Sequence, residues 1–368
     1  MLIKKIELFY LRLPMKIVFQ TSFGKIDYRP VLLVKLTDEK GNVGMGESSL
    51  LDLPISEKET SSSGQDFIIE KVVPKLLGKK FSSVKSVGDF SHCFGNNFPV
   101  TITGVESALL NLFSINQGVG LKKIFGGKKN KVSIGMSIGL QASEEELYRA
   151  VKSAIKKRYS HIKLKIEPGH DLKIVQFVRR KFPILKFSVD ANAAYGRKHL
   201  PLFEKLDEYG LDMIEQPFGK NELKLHADLQ KKIKTPVCLD ESAADFGTVA
   251  RAIKMRSGRI INIKPARVGG YLEAVKIHDL CEKNNLPCWV GGRLESGVGV
   301  EFNLALAALP NFTLASEILP ADSFLREDVV VSSKKVVWGH MLVGRGGRIP
   351  VDYKKIKKHL VDYNVFSV

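Results

Sequence analysis

At 368 residues, with 44% hydrophobic and 26% charged content, the chain is globular and not a disordered tail, and its length calls for one large domain plus a smaller one, or a barrel. Its net charge of +18 raises nucleic acid as a partner, but the basic residues are scattered in pairs with no arginine-rich arm and no aromatic interleaving. Solvated helix faces explain that pattern, and neither nucleic acid nor membrane is an expected partner, since no run approaches the roughly 20 apolar residues of a membrane helix.

The opening MLIKKIELFYLRLPM is basic and then apolar, but Glu7, Arg12 and Pro14 interrupt a signal-peptide core, and the stretch reads as a strand. A second alternating run, PVLLVKLTDEKGNVGMGES, carries a turn at Asp38 to Gly41. The polar tract SEKETSSSGQD follows, and apolar residues then recur at helical spacing over 67–78 and 104–116. Residues 1–125 thus predict an α+β unit.

From about 131 the pattern becomes α/β. Short apolar runs, KVSIGMS, HIKLKI, LKFSVD, LDMIEQ, TPVCLD, RIINIK, LPCWVGG and FTLASEI, alternate with amphipathic helices such as 222–234 and 271–284. Ser143 and Glu146 form a capping-box signature ahead of Leu147, Ala150, Val151, Ala154 and Ile155 on one helical face. Eight strands alternating with helices is the count of a (β/α)₈ TIM barrel, or one short of it if an end strand is misread. The cysteines Cys93, Cys238, Cys281 and Cys288 show no CxxC pair and no zinc-ligand spacing, which fits a reducing cytoplasm.

Lys163 and Lys165 in HIKLKI share one face of their strand, which taken alone suits an aggregation-resistant edge. Lys165, Asp190, Glu215, Asp240 and Lys264, however, follow at intervals of 25, 25, 25 and 24 residues, each at or next to the end of an apolar run. One βα unit has about that length, so a parallel barrel brings all five to the C-terminal rim where barrel active sites lie. A single carboxylate there is equally well a helix cap. Three together repel unless a cation neutralises them, and all-oxygen ligands select a hard divalent ion, Mg²⁺ before Ca²⁺. Lys165 from the second strand and Lys264 from the sixth then face each other across that ion, placed to abstract a proton beside a carboxylate. The glycine-rich GGRLESGVG lacks the order of a P-loop or dinucleotide site, so a nucleotide cofactor is excluded. His161 and His170 fall at no strand end and read as structural.

The ordered set KLK, DAN, IEQPF, CLDES, NIKPARVGG and GGRLESGVG resembles the enolase superfamily, in its o-succinylbenzoate synthase and N-acylamino acid racemase branch. TSFG at 21–24, GES at 46–48 and LPNFTLAS at 309–316 extend the resemblance over nearly the whole chain. It implies a capping domain at 1–125, a catalytic barrel at 126–330 and a segment, 331–368, returning to the cap. It further implies Asp190, Glu215 and Asp240 as ligands of Mg²⁺, or alternatively Mn²⁺, with Lys165 as base and then acid, and Lys264 opposite it. Lys163 would lie near the substrate carboxylate. Asn192 and Glu241 would support the site, and Ser22, Ser137, Gly292, Arg293 and Glu295 would line the substrate.

The implied reaction is dehydration of 2-succinyl-6-hydroxy-2,4-cyclohexadiene-1-carboxylate in menaquinone biosynthesis; the alternatives are racemisation of an N-succinyl or N-acyl amino acid and, more remotely, a binding protein without chemistry. Homo-oligomers are common in this branch. Arg267 in KPAR is placed either to tune Lys264 or to sit in solvent at a helix start. Arg293 and ASEILPADSF depart from the family pattern and bear on the substrate, not on the reaction class.

Overall fold

The computed structural model describes residues 1–21, 24–54 and 58–368. An antiparallel sheet of four strands, in the order Leu360–Ser367, Ile3–Thr21, Gly24–Asp38, Val43–Ser48, joins the two ends of the chain. The helix Pro99–Asn116 crosses it with nearly every side chain from Val100 to Ser114 buried. That approach depends on glycine: a Cβ on Gly104 would meet Ser48 Oγ at 2.0 Å and Ser48 N at 2.7 Å.

The polar tract is not a loop throughout. Helix begins inside it at Ser61, because Thr60 and Ser63 form a capping box, and helical backbone of α and π type then continues from Ser61 to Leu76.

Seven parallel strands follow in sequence order: Gly135–Ile138, His161–Lys165, Phe187–Asp190, Ile214–Glu215, Val237–Leu239, Ile260–Ile263 and Cys288–Val290. The eighth run is reduced to two parallel bridges, Ile134 with Ser316 and Gly291 with Glu317, and these close the sheet on itself. KVSIGMS is two short strands and not one: Lys131–Ser133 leaves the barrel to pair with His340–Leu342. Ser143 caps its helix by accepting from Glu146 N at 3.2 Å, but the expected capping box is half-formed, since Glu146 accepts from Ala142 N at 3.1 Å and not from Ser143 N, and Ile155, on the same helix, is 42% exposed. Leu147, Val151 and Ala154 carry the buried face.

Three buried carboxylates fasten helix N-termini across the structure, where free N–H groups and the helix dipole favour an acceptor. Glu59 accepts from Val100 N and Thr101 N, each at 2.9 Å. Glu106 accepts from Tyr271 N at 2.5 Å, at the start of the helix Tyr271–Lys283. Glu47 accepts from Ser296 N and Gly299 N, each at 2.9 Å, at the start of Gly297–Ala307. The last two tie the N-terminal layer to helices of the barrel.

Candidate active site

Parallel pairing places Lys165 opposite Asp190 and Asp190 opposite Glu215 in register, and Asp240 directly follows the next strand, Val237–Leu239. The lysine face of HIKLK therefore points into the barrel while Ile162 and Leu164 pack outward; Lys163 is buried with them and Lys165, at the strand end, is partly open. Asp190, Glu215 and Asp240 are 1%, 0% and 1% exposed.

Each carboxylate has a cation against it. Lys165 Nζ lies 2.6 Å from Asp190 Oδ2 and also donates to Asn192 Oδ1. Lys264 Nζ lies 2.7 Å from Asp240 Oδ2, and Arg267 donates to Asp240 Oδ1 and, at 3.0 Å, to the Asp240 carbonyl. Arg267 is thus not a solvated helix-start residue; it shares with Lys264 the carboxylate of Asp240. A Cβ at Gly291 would stand 2.7 Å from Lys264 Cε, so the first glycine of VGGR leaves room for that side chain.

Lys163 is 2% exposed; its ammonium donates to Glu215 Oε2 at 2.5 Å and forms ion pairs with Glu317 at 2.9 Å and Asp190 at 3.1 Å, with the Trp289 ring centroid 4.9 Å away. Burial alone would lower the Lys163 ammonium, but Asp190, Glu215 and Glu317 outweigh it and hold it well above the ordinary range. Burial, then repulsion from Asp190, Asp240 and Glu317, pushes the Glu215 carboxyl up to about 8 in spite of Lys163. Against the same burial, Lys163 and Lys165 hold Asp190 below its usual range, and Arg267 and Lys264 hold Asp240 there.

A buried all-oxygen set whose members repel one another fits a hard divalent cation. The three are side by side without being drawn to ligand spacing. Among the described residues, the group of His, Cys, Asp or Glu side chains with ligand atoms within 4.8 Å of one another is His278, Asp279 and Glu282. His278 is already engaged there, with Nδ1 on Asp279 at 2.8 Å and Nε2 accepting from Asn311 N at 2.9 Å.

The remaining candidates surround this core. Asn192, at φ 41°, also donates from Nδ2 to Glu241 Oε1 at 3.3 Å. Burial and then Asp240 raise the Glu241 carboxyl. Ser137 is paired in register with Lys163, and its Oγ is buried without a hydrogen-bond partner in the protein. Gly292 N donates to the Glu317 carbonyl at 2.9 Å. Glu295 is turned back on its own loop, accepting from Arg293 N at 2.9 Å, while the Arg293 carbonyl accepts from the buried Arg29 at 3.0 Å. Ser22 lies outside the described residues. His161 opens its strand at the end opposite Lys165 and bonds Ser188 Oγ at 2.7 Å, and His170 sits at the surface on Glu167. Beside Lys165, a cavity of about 340 Å³ opens between Ile138, Leu140, Leu164, Ile174 and Phe177.

Sequence reading missed four participants. Glu317 belongs to the eighth run, which the spacing of 25 does not reach. Asn262 donates to Glu215 Oε1 at 2.9 Å from inside the strand Ile260–Ile263, where nothing distinguishes it from a buried polar residue. Gln216 accepts from Asp240 N at 2.9 Å and joins the fourth strand end to the fifth. Buried His226 accepts from Phe218 N at 3.3 Å, and burial lowers it to about 4, so it is neutral and structural.

A parallel barrel that presents a KxK strand, three successive strand-end carboxylates and an opposing lysine has the architecture of a carboxylate α-proton abstractor. The chain belongs to the enolase superfamily: the family model described as Enolase C-terminal domain-like matches residues 146–347. It is 37% identical to the N-succinylamino acid racemase of Thermus thermophilus, covering 96% of this chain and 95% of that one. It is 35% identical to the o-succinylbenzoate synthase of Bacillus subtilis, covering 99% and 98%. A solved structure of an enolase-superfamily member from Listeria innocua superposes with a TM-score of 0.94 at 35% identity, covering 99% of both chains. Enzymes of this superfamily generally use a divalent metal.

Proposed function

We propose that the chain is a Mg²⁺-dependent o-succinylbenzoate synthase that dehydrates 2-succinyl-6-hydroxy-2,4-cyclohexadiene-1-carboxylate. The pair of lysines, Lys165 and Lys264, on the second and sixth of eight barrel positions and each paired with a different buried carboxylate, supports the α-proton chemistry that this reading shares with its alternative, and the likeness to o-succinylbenzoate synthases such as that of Bacillus subtilis carries the choice of dehydration. Asp190, Glu215 and Asp240 would hold Mg²⁺, with Mn²⁺ as the alternative, and the bound ion supplies positive charge for the two carboxylate oxygens that become electron-rich as the α-proton leaves.

Lys165 takes the proton from the α-carbon and then delivers it to the departing hydroxyl on the same face, so that the C–H and C–O bonds break and one water leaves. Lys264, on the opposite face, steadies the electron-rich carboxylate. Asn192 orients Lys165 through its Oδ1, and Lys163, buried among three carboxylates, is a fixed internal cation. Arg293 and Ser137 would line the succinyl group. Residues 1–125 form the cap, 126–330 the catalytic barrel and 331–368 the return to the cap, in a cytoplasmic homo-oligomer whose partner is this small carboxylate.

The test is loss of substrate absorbance in the ultraviolet before and after chelation. Turnover restored by added Mg²⁺ supports the synthase. A protein that binds Mg²⁺ and leaves this substrate unchanged fits the second reading, racemisation of N-succinylamino acids, which the Thermus thermophilus relative and the lysines on both faces favour.

A further inference from the structure

The three carboxylates around Lys163 are not equivalent. Asp190 and Glu215 belong to the proposed metal set, whereas Glu317 comes from the closing seam of the barrel, held there by Glu317 N donating to the Val290 carbonyl at 3.0 Å and Gly292 N donating to its own carbonyl at 2.9 Å. A divalent ion that engages Asp190 and Glu215 competes for oxygens already within 3.1 Å of the Lys163 ammonium, and two cations at that range repel strongly in a buried site. Lys163 has no route to solvent, being 2% exposed with the Trp289 ring beside it. Among the partners that its ammonium contacts, Glu317 alone stays free of the metal set.

We infer that Glu317 is a positioning residue that draws Lys163 off Asp190 and Glu215 and thereby sets the affinity for the metal. This rests on the reading of Asp190, Glu215 and Asp240 as the ligands. It also gives a role to the segment ASEILPADSF, whose departure from the family pattern the synthase chemistry does not use.

The experiment is calorimetric titration of Mg²⁺ into the purified full chain and its variants, which reads binding and not turnover. Glu317→Gln is expected to weaken Mg²⁺ binding by roughly tenfold, the size of one contact-level coupling. Glu317→Asp keeps the charge but withdraws it from Lys163, and is expected to weaken binding likewise. In a Lys163→Met background, Glu317→Gln is expected to change the affinity by less than about twofold, because the residue it acts through is gone. Wild-type affinity in Glu317→Asp, or an equal loss from Glu317→Gln with and without Lys163, would show that Glu317 acts by charge alone and overturn the inference. Asp240→Asn that binds Mg²⁺ as tightly as wild type would overturn the ligand reading, and the inference with it.

Discussion

Asp240 carries two cations, and its surroundings separate the two candidate reactions at the level of single residues. Dehydration needs Lys264 only as a cation, whereas racemisation needs it to give and take a proton. Arg267 draws on the same carboxylate; without it the whole charge of Asp240 falls on Lys264 and opposes its action as a base. Arg267→Gln is therefore expected to lower racemisation of an N-succinylamino acid by roughly tenfold or more and dehydration by only about twofold. Steady-state rates on both substrates check this; equal losses would contradict it. Arg293 stands in a loop clamped by Arg29 on one side and Glu295 on the other. If it receives a succinyl carboxylate, Arg293→Met raises KM by roughly tenfold for N-succinyl substrates and little for N-acetyl ones, the discrimination expected of one charge-assisted contact. The three strand-end carboxylates and both lysines were legible in the sequence as one cluster, because a βα repeat of about 25 residues brings each strand end to one rim. Glu317, Asn262 and Gln216 were not, because closure of the barrel and cross-strand side-chain bonds, not local pattern, bring them to the site.

The elements followed local chemistry where it was unopposed. The helix 271–284 was expected from apolar spacing and forms over Tyr271–Lys283, and the capping serine at 143 holds. The discrepancies have tertiary causes. KVSIGMS divides because its first half finds a partner strand in His340–Leu342, more than 200 positions along the chain, which no local window contains. Ser61 to Asp66 is polar yet helical, since Thr60 caps it and Gly64 lies against Leu50. The crossing of Pro99–Asn116 over the strand Val43–Ser48 depends on the bare backbone of Gly104. Gly104→Ala drives a methyl into the Ser48 backbone and is expected to destabilise the fold by about 3 kcal/mol, as overpacking of a closed core does. Chemical denaturation checks the value, and a variant as stable as wild type would contradict the described packing.

For the molecule as a whole, the cap layer is fixed to the barrel by carboxylates that burial makes reluctant to ionise. Burial pushes Glu106 up to about 7 against the pull of the Leu272 and Tyr271 N–H groups, with His92 and Glu273 as its charged neighbours, and burial likewise pushes Glu47 up to about 7. The unfolded carboxyl titrates near 4.5, so between pH 4.5 and 7 the folded state binds more protons than the unfolded one. Stability from these two groups thus falls as pH rises through that window and is level above it, by about 3 kcal/mol per group. Glu106→Gln is expected to flatten the fall in thermal stability between pH 5 and pH 8; an unchanged slope would contradict this assignment. The account as a whole turns on Lys165 as the group that moves the α-proton. Its most direct test is turnover of 2-succinyl-6-hydroxy-2,4-cyclohexadiene-1-carboxylate by Lys165→Ala, with Mg²⁺ binding measured on the same sample. A loss of roughly a thousandfold or more in kcat with Mg²⁺ still bound is the predicted result, in keeping with removal of an essential proton carrier. Turnover within about tenfold of wild type would contradict it.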